Sequence, residues 1–145
     1  MRLKFLGPMK SQDGRISFMI ESQNSKNVRM GYINGRINGL KNCIECDYAV
    51  ATEYRGRGIA GKMLEFMLDK VFKDNALSIK HPLRVVLNID AENQPSRHVA
   101  EKAGFEKIDS ESRDSVEYEM TPKQYELNIR KRTQAIQQNL PARNI

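Results

Sequence analysis

No apolar run in this chain of 145 residues approaches the roughly 18 residues that a membrane-spanning helix requires. The first residues, Met1 to Gly7, lack the apolar core of a secretory signal, so a cytoplasmic location is expected. No low-complexity segment, internal repeat or nucleic-acid-binding motif is present. Cysteine is scarce, with only Cys43 and Cys46. A redox Cys-x-x-Cys usually opens a helix after a strand. This pair falls inside a strand-like run, where alternation sends the two side chains to opposite faces. There is no second pair to complete a zinc site. Two reduced strand cysteines are the simplest reading, and no metal is expected.

What remains is the composition of a soluble domain, 39% hydrophobic and 29% charged, in a length that fits one packed core. The formal net charge of +6 suits anionic ligands, acidic partners or nucleic acid. Part of that excess sits in Arg55-Gly56-Arg57-Gly58-Ile59-Ala60, the stretch the chain is organised around. A β-type run, Cys43 to Ala51, precedes it, and an apolar pattern of helical period follows. Strand, glycine-rich turn and helix in that order suggest a pyrophosphate site. Glycine lets the backbone approach a ligand closely, and a helix start offers unpaired N–H groups and partial positive charge. A Walker loop needs a Gly-Lys-Ser/Thr ending, which is missing. Gly56, Gly58 and Gly61 do fit the glycines of a dinucleotide fingerprint. That motif also wants an acidic residue ending a second strand about twenty positions on, and Asn75 to His81 reads as a loop instead.

Along the chain, Arg2 to Leu6 is a candidate first strand, and Gly7-Pro8 and Asp13-Gly14 are turn signals. Strands are predicted over Arg15 to Glu21, Val28 to Ile33 with extension toward Ile37, Cys43 to Ala51, and Leu83 to Ile89. Ile59, Met63, Phe66, Met67 and Val71 predict a helix over Gly58 to Lys73, widened by Leu64, Leu68 and Phe72. Asn93 and Pro95 open a second helix that Gly104 ends. Strands over Phe105 to Ile108 and Ser115 to Met120 follow. Thr121-Pro122-Lys123-Gln124 is a capping-box pattern opening a terminal helix with a thin stripe of Tyr125, Ile129, Ile136 and Leu140. Its Arg130-Lys131-Arg132 run is either a solvated face or a contact with a partner or second subunit, as in a homodimer.

The central fragment resembles the acetyl-CoA signature of the GNAT superfamily of N-acetyltransferases, Arg/Gln-x-x-Gly-x-Gly/Ala. Arg55, Gly58 and Ala60 match it, and Val50-Ala51-Thr52-Glu53-Tyr54 is the usual lead-in. A second element, Asn93-Gln94-Pro95-Ser96 followed by Glu101-Lys102-Ala103-Gly104-Phe105, stands at the right distance. The resemblance covers roughly Arg15 to Met120 and is closest to the ribosomal-protein alanine acetyltransferase branch. It implies an α/β (α+β) single domain: a mixed, mostly antiparallel sheet with a central splayed parallel pair and helices on both faces. Residues 1–120 would form the acetyltransferase domain, with 121–145 a C-terminal helix of, or appended to, that domain. Most relatives carry helices between the first two strands that help cover the acceptor. Gly7 to Gly14 is too short for them, so a reduced N-terminal region and an acceptor side open to a bulky substrate are expected.

By the same resemblance, acetyl-CoA is the co-substrate. Ala49, Val50, Ala51 and Thr52 would bond its pantetheine arm, Arg55, Gly56, Arg57, Gly58, Ile59 and Ala60 its diphosphate, with Asn93 and Ser96 near the reacting end. A protein N-terminus, a protein side chain or a small molecule would supply the amine. Such an amine must be neutral to attack, so a base is needed, with a backbone N–H near Val50 as oxyanion donor. Glu45 occupies the position of an acidic residue common in the alanine branch, in a Glu-x-x-Tyr pattern completed by Tyr48. Asp47 shares its face and is a second candidate. The tyrosine that many relatives use as leaving-group acid is replaced by Ala100, and Ser96 could relay a proton in its stead. Asn93 and Ser96 could equally be helix-capping residues. Asn88 stands where some relatives have a glutamate base. His81 and His98 have no evident partner. Two other classes stay open: a non-catalytic CoA-binding module, and a basic ribosome- or nucleic-acid-associated protein.

Overall fold

The computed structural model describes residues 1–79, 83–110 and 112–139. Seven strands form one sheet: β1 (Arg2–Lys10), β2 (Ile16–Gln23), β3 (Arg29–Asn38), β4 (Cys43–Val50), β5 (Arg84–Asp90), β6 (Glu106–Ile108) and β7 (Ser115–Met120). Their order is β1-β2-β3-β4-β5-β7-β6. Every neighbouring pair is antiparallel except β4 and β5. Among the described residues three α-helices complete the fold: α1 (Ile59–Leu68), continued by a π-helical turn at Asp69–Lys73, α2 (Gln94–Lys102) and α3 (Pro122–Gln138). The mixed sheet with its single parallel pair is the architecture the sequence implies.

Register decides which face is buried. Phe18, Ile20, Ile33, Ile44, Cys46, Val85, Leu87, Tyr118 and Met120 share one face through the strand pairings, and all are buried. Met63 of α1 lies 3.0 Å from where a Cβ on Gly31 would stand, on that same face. Tyr48 and Tyr118, also on it, bond to α2 through Ser96, Arg97 and Glu101. The α3 residue Tyr125 donates to Asp69 at 2.6 Å and packs on Phe72, and Asn128 reaches Met120. All three helices therefore cover one face, which corrects the expectation of helices on both.

That second face is made polar instead. Arg29 pairs with Glu21, Arg36 with Glu45 and Asp47, and Arg84 with Glu119, each between neighbouring strands. Partly exposed pairs of this kind contribute little stability individually, but they keep a bare sheet face wettable. Cys43 and Cys46 are free, buried and on opposite faces, as alternation requires.

Two details depart from the sequence reading. Gly7-Pro8 is no terminating turn: β1 runs through it to Lys10 with a shift of register between Leu6 and Met9. β1 is an edge strand, where proline's missing donor and a glycine at φ +133° are tolerated. In α3, Tyr125 is buried and Ile129 partly so, but Ile136 is 64% exposed. The helix has run past the core by that point. His81, Pro82 and Leu140 lie outside the described residues.

Candidate active site

β4 and β5 pair in parallel from Cys43 and Arg84 up to Cys46 and Leu87, and no further. Beyond that point each keeps its outer neighbour, β4 with β3 to Val50 and β5 with β7 to Asp90. A gap opens between two strands that each keep their outer partner. The sequence implied a splayed pair, and the register places its apex at Cys46.

Two cavities occupy this gap. The larger, about 500 Å³, runs from Tyr48, Ala49 and Val50 past Tyr54 and Arg55 to Gly58, Ile59 and Ala60 at the start of α1. α2 supplies its opposite wall through Asn93, Pro95, Ser96, His98 and Val99. The smaller, about 170 Å³, is lined by Asp47, Asn88 and Asp90 from the uncovered side and by Cys46, Ile89 and Ser96 from the helical side. Tyr48, Asn93 and Ser96 border both.

At the far end of the larger cavity, Gly58 adopts φ +76° and ψ +14°, a left-handed conformation that turns the chain into α1. Gly56 is also left-handed, at φ +78°. A Cβ on Gly56, Gly58 or Gly61 would meet nothing within 4 Å, so the space beside this backbone is open. No side chain caps α1, and its first turn carries no carboxylate. The other two helices are capped, α2 by Asn93 and α3 by the Thr121–Gln124 box. The one uncapped α-helix start among the described residues thus opens on the groove, which the capped start of α2 also lines. Its N–H groups and dipole suit an anion, and Arg55 lines the same space.

The sequence candidates divide accordingly. Ala49, Val50, Arg55, Gly56, Gly58, Ile59, Ala60, Asn93 and Ser96 all line the groove. Ala51, Thr52 and Arg57 do not. The Ala51 N–H is bonded to Met30 O at 2.8 Å, Thr52 begins a short 3-10 turn ending at Tyr54, and the Arg57 guanidinium lies over the Tyr54 ring. Asp47 borders the smaller cavity, and Arg36 Nη1 stands 3.5 Å from its Oδ1. Glu45 borders neither. Its carboxylate accepts from Asn38 Nδ2 at 2.8 Å and faces Arg36 Nε at 3.4 Å. Asn93 caps α2 by accepting from the Ser96 N–H at 3.2 Å, so its capping role is real and coexists with a place on the groove.

Two groove residues carry chemistry that the sequence reading left unassigned. His98 lines the larger cavity from an exposed position on α2. Tyr48 stands where the cavities meet. Its hydroxyl donates to Ser96 O at 2.8 Å and accepts from Ser96 Oγ at 2.8 Å. Burial raises its pKa above the ordinary tyrosine value, partly offset by the Ser96 hydrogen bond. The only local signal for it was the Glu-x-x-Tyr pattern, since Ser96 is remote in sequence.

Comparison with known proteins agrees with this geometry. The model of the acetyltransferase (GNAT) domain family matches residues 3–106. No curated protein sequence matches the chain. Among solved structures, a point mutant of the spermidine N-acetyltransferase SpeG from Vibrio cholerae aligns with TM-score 0.63 at 20% identity, covering 75% of this chain and 68% of that one. A chimera of V. cholerae SpeG and hSSAT gives 0.61 at 20% identity, over 79% and 70%. SpeG in complex with manganese ions gives 0.60 at 20% identity, over 81% and 71%. These likenesses establish a shared fold, and they do not single out the ribosomal-protein alanine branch. The family match, over more than half the sequence and on the fold it requires, shows that the chain belongs to the GNAT acetyltransferases, acyl-CoA-dependent enzymes that acetylate amines.

Proposed function

We propose that the protein transfers the acetyl group of acetyl-CoA directly to an amine entering through the smaller cavity. The uncapped start of α1, alone among three helices in facing an open groove beside left-handed glycines, carries this reading. In it, the N–H groups of the first α1 turn and Arg55 hold the diphosphate. The β4 edge released beyond Cys46 bonds the pantetheine arm through Ala49 and Val50, and a backbone N–H near Val50 stabilises the oxyanion.

The amine approaches from the uncovered sheet face, past Asp47, Asn88 and Asp90. Asp47 takes the base role because it borders that cavity. Glu45, first choice from sequence, is two residues further down the same face, beside the shared Arg36, and tunes Asp47 through that guanidinium. Ser96 serves as a proton relay. Residues 1–120 form the catalytic domain, and α3 is part of it, fastened through Tyr125 and Asp69.

The bare face favours a bulky acceptor, a protein N-terminus or side chain, whereas the solved relatives act on spermidine. Thioester turnover measured with purified protein against a panel of peptides, polyamines and small aromatic amines tests the reading. Turnover with peptide amines supports it. Activity confined to polyamines moves the acceptor class, and acetyl-CoA binding with no turnover on any amine contradicts catalysis.

A further inference from the structure

We propose that Tyr48 is the acid of this reaction, giving its phenolic proton to the sulfur as the thiolate of CoA departs. The inference rests on the acetyltransferase reading above and goes beyond it by naming the group that reading leaves open. The acetyl thioester comes along the larger cavity and the amine through the smaller, so bond formation belongs where the two meet. Only Tyr48, Asn93 and Ser96 border both among the described residues. Of these, an amide is no acid, and a serine hydroxyl is too weak to act without a partner. The phenol is the one group there with a proton to give at a useful pKa.

Its surroundings suit the task. Partial burial keeps the phenol protonated, and its proton, donated to Ser96 O at 2.8 Å in this structure, reaches the sulfur when the hydroxyl turns away from that carbonyl. Ser96 Oγ already donates to the phenol oxygen at 2.8 Å, which supports the negative charge left there after transfer. Tyr54, also on the groove, stands beyond Val50 toward the phosphate end, where Asn24 Nδ2 donates to its hydroxyl at 3.3 Å, and it does not border the smaller cavity. Ala100, buried in the core, cannot contribute. The acid is thus supplied from β4 rather than from α2.

The step balances. The amine nitrogen bonds the carbonyl carbon, the carbon–sulfur bond breaks, and its electron pair leaves with sulfur. Nitrogen loses a proton to Asp47, and sulfur gains one from Tyr48. Exchange with solvent, through the Ser96 hydroxyl, returns the Asp47 proton to the phenolate.

The test compares Tyr48→Phe with wild type on acetyl-CoA and on its selenoester analogue, whose selenolate is the less basic leaving group and needs no protonation. With acetyl-CoA, kcat should fall about 100-fold or more while KM changes little, as expected for loss of a general acid. With the selenoester, the variant should recover to within about tenfold of wild type, since an intrinsically good leaving group bypasses the acid. A merely structural Tyr48 would slow both esters equally, and that result, or an unchanged kcat, overturns the proposal. Should the Phe variant fail to fold, Ser96→Ala must show the same dependence on leaving group, and its absence there is equally fatal. Wild-type protein that binds no acetyl-CoA would instead bring down the underlying reading, and this one with it.

Discussion

Cys46 and Leu87 are the last residues to join β4 to β5, and Asp47 and Asn88 follow them unpaired along opposite sides of a cavity. The parting is not fraying, because both strands stay fully paired on their outer sides. A gap passes through the sheet, with helices and the groove on one side and a bare polar face on the other.

Gly58→Val should abolish acetyl-CoA binding. The substituent would project into the open space where we propose the diphosphate binds, and φ +76° costs a β-branched residue about 1–2 kcal/mol or more. Calorimetry should show no binding, and the melting temperature should fall by only a few degrees.

Asp47→Asn should lower kcat about 100-fold or more with acetyl-CoA affinity unchanged, the signature of a lost base. Glu45→Gln should cost much less, because its carboxylate reaches the site only through Arg36. Initial-rate kinetics on both variants decide the assignment. The reverse order of effects would return the base role to Glu45.

Gly31→Ala should destabilise the protein by about 1–3 kcal/mol, an overpacking cost. The added methyl would lie 2.8 Å from the Ala49 carbonyl oxygen and 3.0 Å from Met63 Cε. Because it presses on β4 beside the groove, weaker acetyl-CoA binding should accompany the lower urea midpoint.

Stability should fall at alkaline pH. Burial, then the hydrogen bond to Asp69, raises the Tyr125 pKa, and Tyr48 and Tyr118 are raised by burial too. A raised folded-state pKa means full stability below the unfolded tyrosine value of about 10 and progressive loss above it. Tyr125→Phe should flatten part of that decline in denaturation curves taken from pH 9 upward, although it also gives up the bond to Asp69.

Much of this was legible in the sequence. Ile59, Met63 and Met67 predicted α1 by spacing, and Gly58 marked its start because only glycine turns that corner without strain. Thr121 and Gln124 formed the capping box their pattern implied. What escaped was long-range. Alternation put Glu45 and Asp47 on one face, but only the end of the β4–β5 pairing, a tertiary fact, determines that the cavity begins at Asp47. Tyr48 and Ser96 are 48 residues apart and meet only because α2 returns over the sheet. The one-sided arrangement of the helices was half visible in the short Gly7 to Gly14 segment. Its consequence, a polar face stitched by Arg29, Arg36 and Arg84, required the register.

The most direct test of the central claim is an amide NMR titration of isotope-labelled protein with CoA. The backbone N–H signals of Gly56, Gly58, Ile59, Ala60 and Gly61 should move most and saturate together, with a distinct smaller response along Ala49 and Val50. Unmoved signals at the start of α1, whether CoA binds elsewhere or not at all, would contradict the account.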